Sequence, residues 1–367
     1  MADGSPAPRR RGRIAVRALL VAAALGVALV LAEVGVRVLD PLGTSYYHDF
    51  NDYLRRAIVF PDPEVTPESR IFQQKPDLDL ELRCFRLVTD NLGLRRESPG
   101  HVTPAGGSRT ERQRTRILFL GDSVTFGWGV DDEHTWLRLL EREATDAEGR
   151  PLECLNAGHP MYNTLQEADW LAAHGELLAP DAVVLTFVVN DLDDAYGLYT
   201  ELVGATVRAG GEMGARADPP RVSLKARLLE WFRGLRAVYR YYERKGEHAD
   251  RVRIDPSEVE SRADYQEGWP RAEAGLERLL QLCQDLDAPL IVLDHATPWI
   301  PGVKRWCEAN AVPWFAFDFT REEKGMDIYN SPADPHANAR GNALLRDKAH
   351  AALAEAGILA PPAPAGG

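Results

Sequence analysis

The chain has no Cys-x-x-Cys pair, no His-Glu-x-x-His run and no calcium-loop pattern. Those absences remove the common metal-site signatures, so neither a metal nor a cofactor is expected. Cysteine is sparse: Cys84, Cys154, Cys283 and Cys307 are scattered and carry no framework signal. Cys154 falls in a strand pattern and Cys283 in a helix pattern, which reads as buried free thiols; a disulfide stays open if the domain folds outside the cytoplasm. No internal repeat is evident. A basic surplus is also missing, with 43 Lys+Arg against 55 Asp+Glu and a formal net charge of −12, which argues against a nucleic-acid partner. Hydrophobic residues make up 45% of the 367, ample for the core of one catalytic domain with additional segments.

The most informative stretch is residues 116–129, RILFLGDSVTFGWG. Ile117, Leu118, Phe119 and Leu120 form a short apolar run, as for a strand buried on both faces. Gly121 permits a tight turn, and Asp122 and Ser123 follow where the chain leaves the strand. A serine there sits at the carboxyl end of a parallel sheet, where ligand sites form. Backbone N–H groups of the turn and the next helix favour developing negative charge. Ser123 is therefore either a nucleophile or a helix N-cap.

Three further segments bear on that choice. Residues 152–155 are a second apolar run, ending in Asn156-Ala157-Gly158-His159. Residues 182–189 (AVVLTFVV) are a third, ending in Asn190-Asp191. Near the C-terminus stands Asp334-Pro335-His336-Ala337-Asn338, followed by a helical pattern. These blocks, in this order, resemble the SGNH (GDSL) hydrolase family over residues 116 to the last helix. The resemblance matches Ser123 to the family's nucleophile, Gly158 and Asn190 to its second and third blocks, and Asp334 and His336 to its acid and base. Two positions depart from the family pattern. Val188 stands where a glycine usually precedes the asparagine, and Asp334 precedes His336 by two residues rather than three.

The residue types suit the chemistry the resemblance implies. His336 would take the Ser123 proton, and Asp334 would fix the imidazole tautomer and stabilise the imidazolium. The N–H of Ser123, the N–H of Gly158 and the Asn190 amide would form an oxyanion hole. Gly158 would be glycine so that backbone can approach the substrate. Taken alone, Gly158 also reads as a turn glycine and Asn190 as an N-cap. His159 and His295 sit at strand ends and read as structural or substrate-edge residues. Asp191 either shapes the site or caps a helix; His134 and Trp128 receive no role.

At the other end, Arg9, Arg10, Arg11, Arg13 and Arg17 precede an apolar run over residues 18–32. As a helix that run spans only ~22 Å, short of a ~30 Å hydrocarbon core. The pattern continues past Glu33, and Arg17 can snorkel. The segment therefore predicts a transmembrane anchor with its N-terminus in the cytoplasm and the enzyme outside. A cleaved signal peptide is the rival.

The organisation follows: residues 1–13 a basic leader, 14–39 the anchor or signal sequence, 40–115 a juxtamembrane region and linker, 116–358 the catalytic domain, 359–367 a disordered tail. Tyr46, Tyr47, Phe50 and Tyr53 lie either at the membrane interface or against the domain. Residues 85–94 suggest a strand and a turn added to the sheet, and residues 97–114 a loop. Helices are expected over residues 136–144, 165–178, 267–285 and 303–310, and strands over 289–294 and 313–319. Alternating strands and helices imply a three-layer α/β/α sandwich with a parallel sheet; the resemblance adds a flavodoxin-like strand order. Residues 204–222 read as a mobile loop. Residues 228–242 read as a helix whose stripe of Trp231, Phe232, Leu235, Val238, Tyr239 and Tyr242 is core or a lid.

The implied activity is that of a membrane-anchored serine esterase acting through an acyl-enzyme on an O-acyl small molecule or glycan outside the cytoplasm. An O-acyltransferase on a cell-surface glycan would use the same triad. A non-catalytic glycan-binding relative is the alternative from another class.

Overall fold

The computed structural model describes residues 9–59, 72–106, 109, 112–193, 234, 235, 238, 242, 256–296 and 300–362. Residues 204–222, most of residues 228–242, and residues 363–367 of the expected tail lie outside them. The chain divides into two compact units: Met1–Thr44 with Asp218–Arg251, and Ser45–Ala217 with Val252–Gly367.

In the first unit, helix α1 runs over Arg9–Leu39. Its stretch Ile14–Leu39 has a mean hydropathy of 2.6 and is long and apolar enough to cross a membrane. The helix continues through Glu33, as the resumed apolar pattern requires. Glu33 is buried, and its carboxylate accepts the N–H groups of Gly234 (2.9 Å) and Leu235 (2.8 Å) and pairs with Arg37. Gly234 and Leu235 therefore belong with the apolar helix. Trp231, Phe232 and Tyr239 of the expected stripe lie outside the described residues.

The second unit is built on an eight-stranded sheet. Its parallel part comprises β6 (Thr115–Gly121), β7 (Leu152–Asn156), β8 (Ala182–Phe187), β9 (Leu290–Asp294) and β10 (Trp314–Ala316), in the spatial order β10-β9-β8-β6-β7. That is the flavodoxin-like order expected from the family resemblance. The chain winds outward in both directions from β6, and ligand sites form at the carboxyl ends flanking that reversal.

Side chains on β6 alternate between two cores. Leu118 and Leu120 face Trp170 and Leu171 of α5 (Thr164–Leu178), Leu276 of α6 (Ala263–Asp285) and Val303 of α7 (Pro301–Ala309). Ile117 and Phe119 face Trp136 and Leu140 of α4 (Trp136–Glu143) and Leu345 and Leu353 of α8 (Ala339–Glu355). Period-2 alternation with helices on both faces gives the three-layer sandwich. Helix starts carry the side-chain caps their sequences suggest: Thr135 for α4, an Asn163–Gln166 capping box for α5, and Asn338 for α8.

Residues assigned to a juxtamembrane linker extend this sheet. β3 (Asp79–Glu81), β4 (Arg86–Thr89) and β5 (Arg95–Arg96) add antiparallel beside β7, with Arg95 opposite Asn156. Ahead of them α2 (Ser45–Asp52) leads into a single wide turn, Tyr53–Ala57, and β1 (Ile58–Val59) pairs with β2 (Gln73–Gln74). Tyr53 is fully buried, and Phe50 and Tyr46 pack on the same core, so these three aromatics line the domain rather than a membrane interface. All four cysteines are free.

One buried group is set against its surroundings. Glu167 on α5 is fully buried, and neither carboxyl oxygen has a hydrogen-bond partner among the described residues. Burial first, then the Asp191 and Asp122 carboxylates nearby, push it well above the usual carboxylate range. A raised folded-state pKa gives stability that is present below the unfolded value, about 4.3, and is lost as pH rises toward the folded one. Glu167→Gln keeps the shape and removes the titration. It should melt no higher than wild type near pH ~4 and clearly higher near pH ~8. Equal melting shifts at both pH values would show that Glu167 does not hold its proton in the fold.

Candidate active site

β6 is buried at every position and ends at Gly121, whose φ is +149°. A Cβ there would lie 2.2 Å from Thr125 Oγ1, so the turn needs glycine. The chain then enters α3 (Ser123–Phe126). The cap of this short helix is Asp122, whose carboxylate accepts the Val124 N–H at 2.8 Å. Ser123 thus does not cap the helix, and its hydroxyl is turned elsewhere. Ser123 Oγ lies 2.8 Å from His336 Nε2 and 3.1 Å from Asp122 Oδ2.

His336 Nδ1 lies 2.5 Å from Asp334 Oδ1. A buried carboxylate only accepts, so Nδ1 carries the proton and Nε2 is left as acceptor for the serine hydroxyl. Asp334 is buried and anchored on several sides. Its Oδ2 accepts from Asn330 Nδ2 at 3.1 Å, its Oδ1 also accepts the His336 N–H at 3.2 Å, and its own N–H donates to Ser331 Oγ at 3.0 Å. Asn330 Nδ2 also donates to Trp128 O at 3.2 Å, which ties the acid loop to the segment after Ser123. Gly129 (φ +85°) permits this approach, since a Cβ would lie 2.0 Å from Asn330 Nδ2. Asn338 caps α8 and fixes the far end of the loop. The two-residue spacing from Asp334 to His336 is therefore accommodated by a tight loop that aims both groups at one point.

The three expected oxyanion donors fare differently. Ser123 N–H stands at the first position of α3, where no intrahelical acceptor exists. Asn190 lies in a 3₁₀ turn, Val189–Leu192, at the end of β8. Capping of that turn falls to Asp191, which accepts the Val188 N–H (2.7 Å) and the Thr164 hydroxyl (2.9 Å). The Asn190 side chain makes no hydrogen bond among the described residues and stays half-exposed. The N–H of Gly158 donates to Asn156 Oδ1 at 3.0 Å. A Cβ on it would lie 2.3 Å from Phe126 N. The close packing of α3 there is by itself a reason for glycine.

The weighed histidines are structural. His159 is buried, stacks on Tyr162 with ring centroids 4.5 Å apart, and burial pushes it down to about 3. His295 packs between Phe317 and Phe319, and burial lowers its pKa too. His134 is exposed beside Glu133.

Two neighbours of the site carry no short motif. Arg95 is fully buried on β5, and its guanidinium donates to Phe126 O (2.8 Å), Gly127 O (2.7 Å) and Val130 O, holding the carbonyls where α3 ends. It lies 4.5 Å from the Phe126 ring centroid. Burial pushes it down to about 10, opposed by Asp132, so it remains charged at neutral pH. Trp128 is buried, with its ring 6.3 Å from that of His336 and 6.0 Å from that of Tyr46. Neither Arg95 nor Tyr46 stands in a local pattern that points to the site.

A parallel α/β sheet with a serine, a histidine and a carboxylate hydrogen-bonded in series at its carboxyl edge defines the class of serine hydrolases. Residues 119–344 match the GDSL-like Lipase/Acylhydrolase family, and the chain belongs to it: it is an SGNH-type hydrolase acting on ester bonds. Among solved structures it is similar to the psychrotrophic esterase EstA from Pseudoalteromonas sp., at 14% identity, with 66% of this chain and 97% of that chain covered and a TM-score of 0.38. It is also similar to AlinE4, an SGNH-hydrolase family esterase, at 16% identity, 67% and 97% coverage and a TM-score of 0.33. A GDSL-like lipase from Bacteroides thetaiotaomicron matches at 11% identity, 67% and 93% coverage and a TM-score of 0.35. No curated protein matches the sequence.

Proposed function

We propose that the chain is a serine esterase that cleaves O-acyl esters through an acyl-enzyme on Ser123. The observation that carries the reading is the unbroken series Asp334–His336–Ser123, with contacts of 2.5 and 2.8 Å. His336 Nε2 takes the Ser123 proton as Oγ attacks the carbonyl, and returns it to the leaving alcohol. Water then attacks the acyl-enzyme with His336 again as base. Asp334 holds the tautomer and stabilises the imidazolium. The Ser123 N–H and the Asn190 amide receive the oxyanion, at the carboxyl ends of β6 and β8.

Catalysis outside the cytoplasm, by an enzyme anchored through Ile14–Leu39, is supported by the arginine-rich leader ahead of that helix. The reaction is tested by incubating the full chain with acetyl esters, with and without a sugar acceptor. The expected result is free acetate in step with ester cleaved, whether or not sugar is present. Cleavage only when sugar is supplied, with the acetyl group recovered on it, would overturn hydrolysis in favour of acyl transfer.

Asn190 gives a separate check. Asn190→Ala should lower kcat by ~10²–10³ if its amide meets the oxyanion, with little change in KM. An unchanged kcat would remove Asn190 from the site.

A further inference from the structure

The N-terminal helix α2 of the catalytic unit brings an aromatic side chain to the histidine. The Tyr46 ring centroid lies 5.8 Å from that of His336, and Tyr46 stays half-exposed. Tyr46 stands edge-on to Trp128, and Phe50, one helical turn on, packs on the same Trp128 at 5.6 Å. The helix is locked in place. Asp49, buried, accepts the N–H groups of Arg83 (3.0 Å) and Cys84 (2.8 Å) in the turn between β3 and β4. Tyr53, fully buried, receives a hydrogen bond from Gln74 Nε2, which also donates to Gly158 O. Helix α2, the β3–β4 turn and Gln74 lie outside residues 119–344, the span matched to the family, and Trp128, Gly158 and His336 lie inside it.

We infer that Tyr46 is a specificity-determining residue that binds the alcohol portion of the ester, and that it selects alcohols carrying a ring. The inference rests on the proposed Ser123–His336 mechanism. His336 Nε2 must hand its proton to the departing alkoxide, so the alcohol oxygen lies within hydrogen-bond reach of that nitrogen. The proposed oxyanion donors belong to the ends of β6 and β8, whereas Tyr46 stands on α2, against the imidazole ring. A ring lying against the imidazole therefore neighbours the alcohol and not the acyl oxygen. A half-exposed tyrosine on a fixed helix offers apolar, π-rich area at low entropic cost. It suits the flat face of an aryl group or the C–H face of a sugar ring, and gains little from a methyl group.

This assignment has a kinetic signature. The alcohol is present during acylation and gone during deacylation. A residue that binds only the alcohol alters the first step and leaves the second unchanged. A residue that merely props up His336 alters both.

The test uses the full chain as wild type, Tyr46→Ala and Tyr46→Phe. Three acetyl esters share one acyl-enzyme: methyl acetate, phenyl acetate and an acetylated methyl glycoside. Each variant is compared with wild type on the same ester, which cancels differences in leaving-group reactivity. For Tyr46→Ala, kcat/KM should fall about tenfold or more on the phenyl ester, the glycoside ester or both, and by less than about twofold on methyl acetate. The ester that falls identifies aryl or sugar as the preferred ring. The deacylation rate, read from single-turnover traces, should match wild type, and Tyr46→Phe should restore the losses. An equal fall on all three esters, a slowed deacylation, a Tyr46→Phe as weak as Tyr46→Ala, or no fall on any ester would overturn the assignment. Fluorophosphonate labelling of Ser123 in wild type is measured alongside. Its absence would overturn the mechanism and this assignment together, whereas labelling with no alcohol dependence would overturn this assignment alone.

Discussion

Ser123→Ala should fold normally and lose ester turnover by on the order of 10⁴-fold or more. The loss follows because no other described hydroxyl shares the contact with His336 Nε2, and without the nucleophile no acyl-enzyme forms. Normal folding follows from the local structure. Asp122, not Ser123, caps α3 through the Val124 N–H, and the serine side chain is only partly buried. The residual rate would come from the Ser123-position N–H, Asn190 and His336 acting on bound ester with water. The check is steady-state kinetics beside a thermal melt. A Ser123→Ala enzyme within tenfold of wild type would place the nucleophile elsewhere.

The second large effect concerns the base and its carboxylate. His336→Ala should abolish nearly all turnover, since no neighbouring base is poised to replace it: His159 and His295 are held neutral and committed to packing. Asp334→Asn should be milder than Ser123→Ala, yet slower than wild type by at least an order of magnitude. The hydrogen bonds determine how the new amide must turn. Asn330 Nδ2 donates to Asp334 Oδ2, so the amide oxygen of Asn at 334 is needed on that side. Its NH₂ then faces His336 Nδ1, which must accept. The imidazole proton moves to Nε2, and the nitrogen facing Ser123 can no longer take its proton. A wrong tautomer with intact geometry can cost as much as ~10⁴ in kcat. Full activity in Asp334→Asn would mean that another group orients His336.

What could be read in advance followed local pattern. The all-apolar run before Gly121, the runs at β7 and β8, and the capped starts of α4, α5 and α8 are decided by near neighbours in sequence. Ser123, Asn190, Asp334 and His336 all stand at the ends of such elements, so order along the chain was enough to bring them to one sheet edge. What escaped depended on partners far away. β3 and β5 have three and two residues, too few for periodicity to declare a strand, whereas β4 falls within the strand expected over residues 85–94. β8 stops at Phe187 rather than running to Val189 because the Asp191 carboxylate captures the Val188 N–H and curls the chain. β10 is three residues long because the chain leaves the sheet at Phe317. Gly234 and Leu235 join the apolar helix through Glu33, a contact spanning about two hundred residues. At the end of β8 and at Gly234 and Leu235 a single buried carboxylate, Asp191 or Glu33, set the structure, which is the balance expected when an unpaired buried donor costs about 1–3 kcal/mol.

The central claim is that an ester's acyl group passes through a covalent bond to Ser123. It is tested most directly by mixing the full chain with phenyl acetate, quenching in acid within the first turnover, and weighing the peptide that contains residues 116–129. The account predicts an added acetyl group on Ser123 that disappears as turnover proceeds, and no addition in Ser123→Ala. An acetyl group found on another residue, or ester cleaved at the wild-type rate with Ser123 unmodified at every time point, would contradict it.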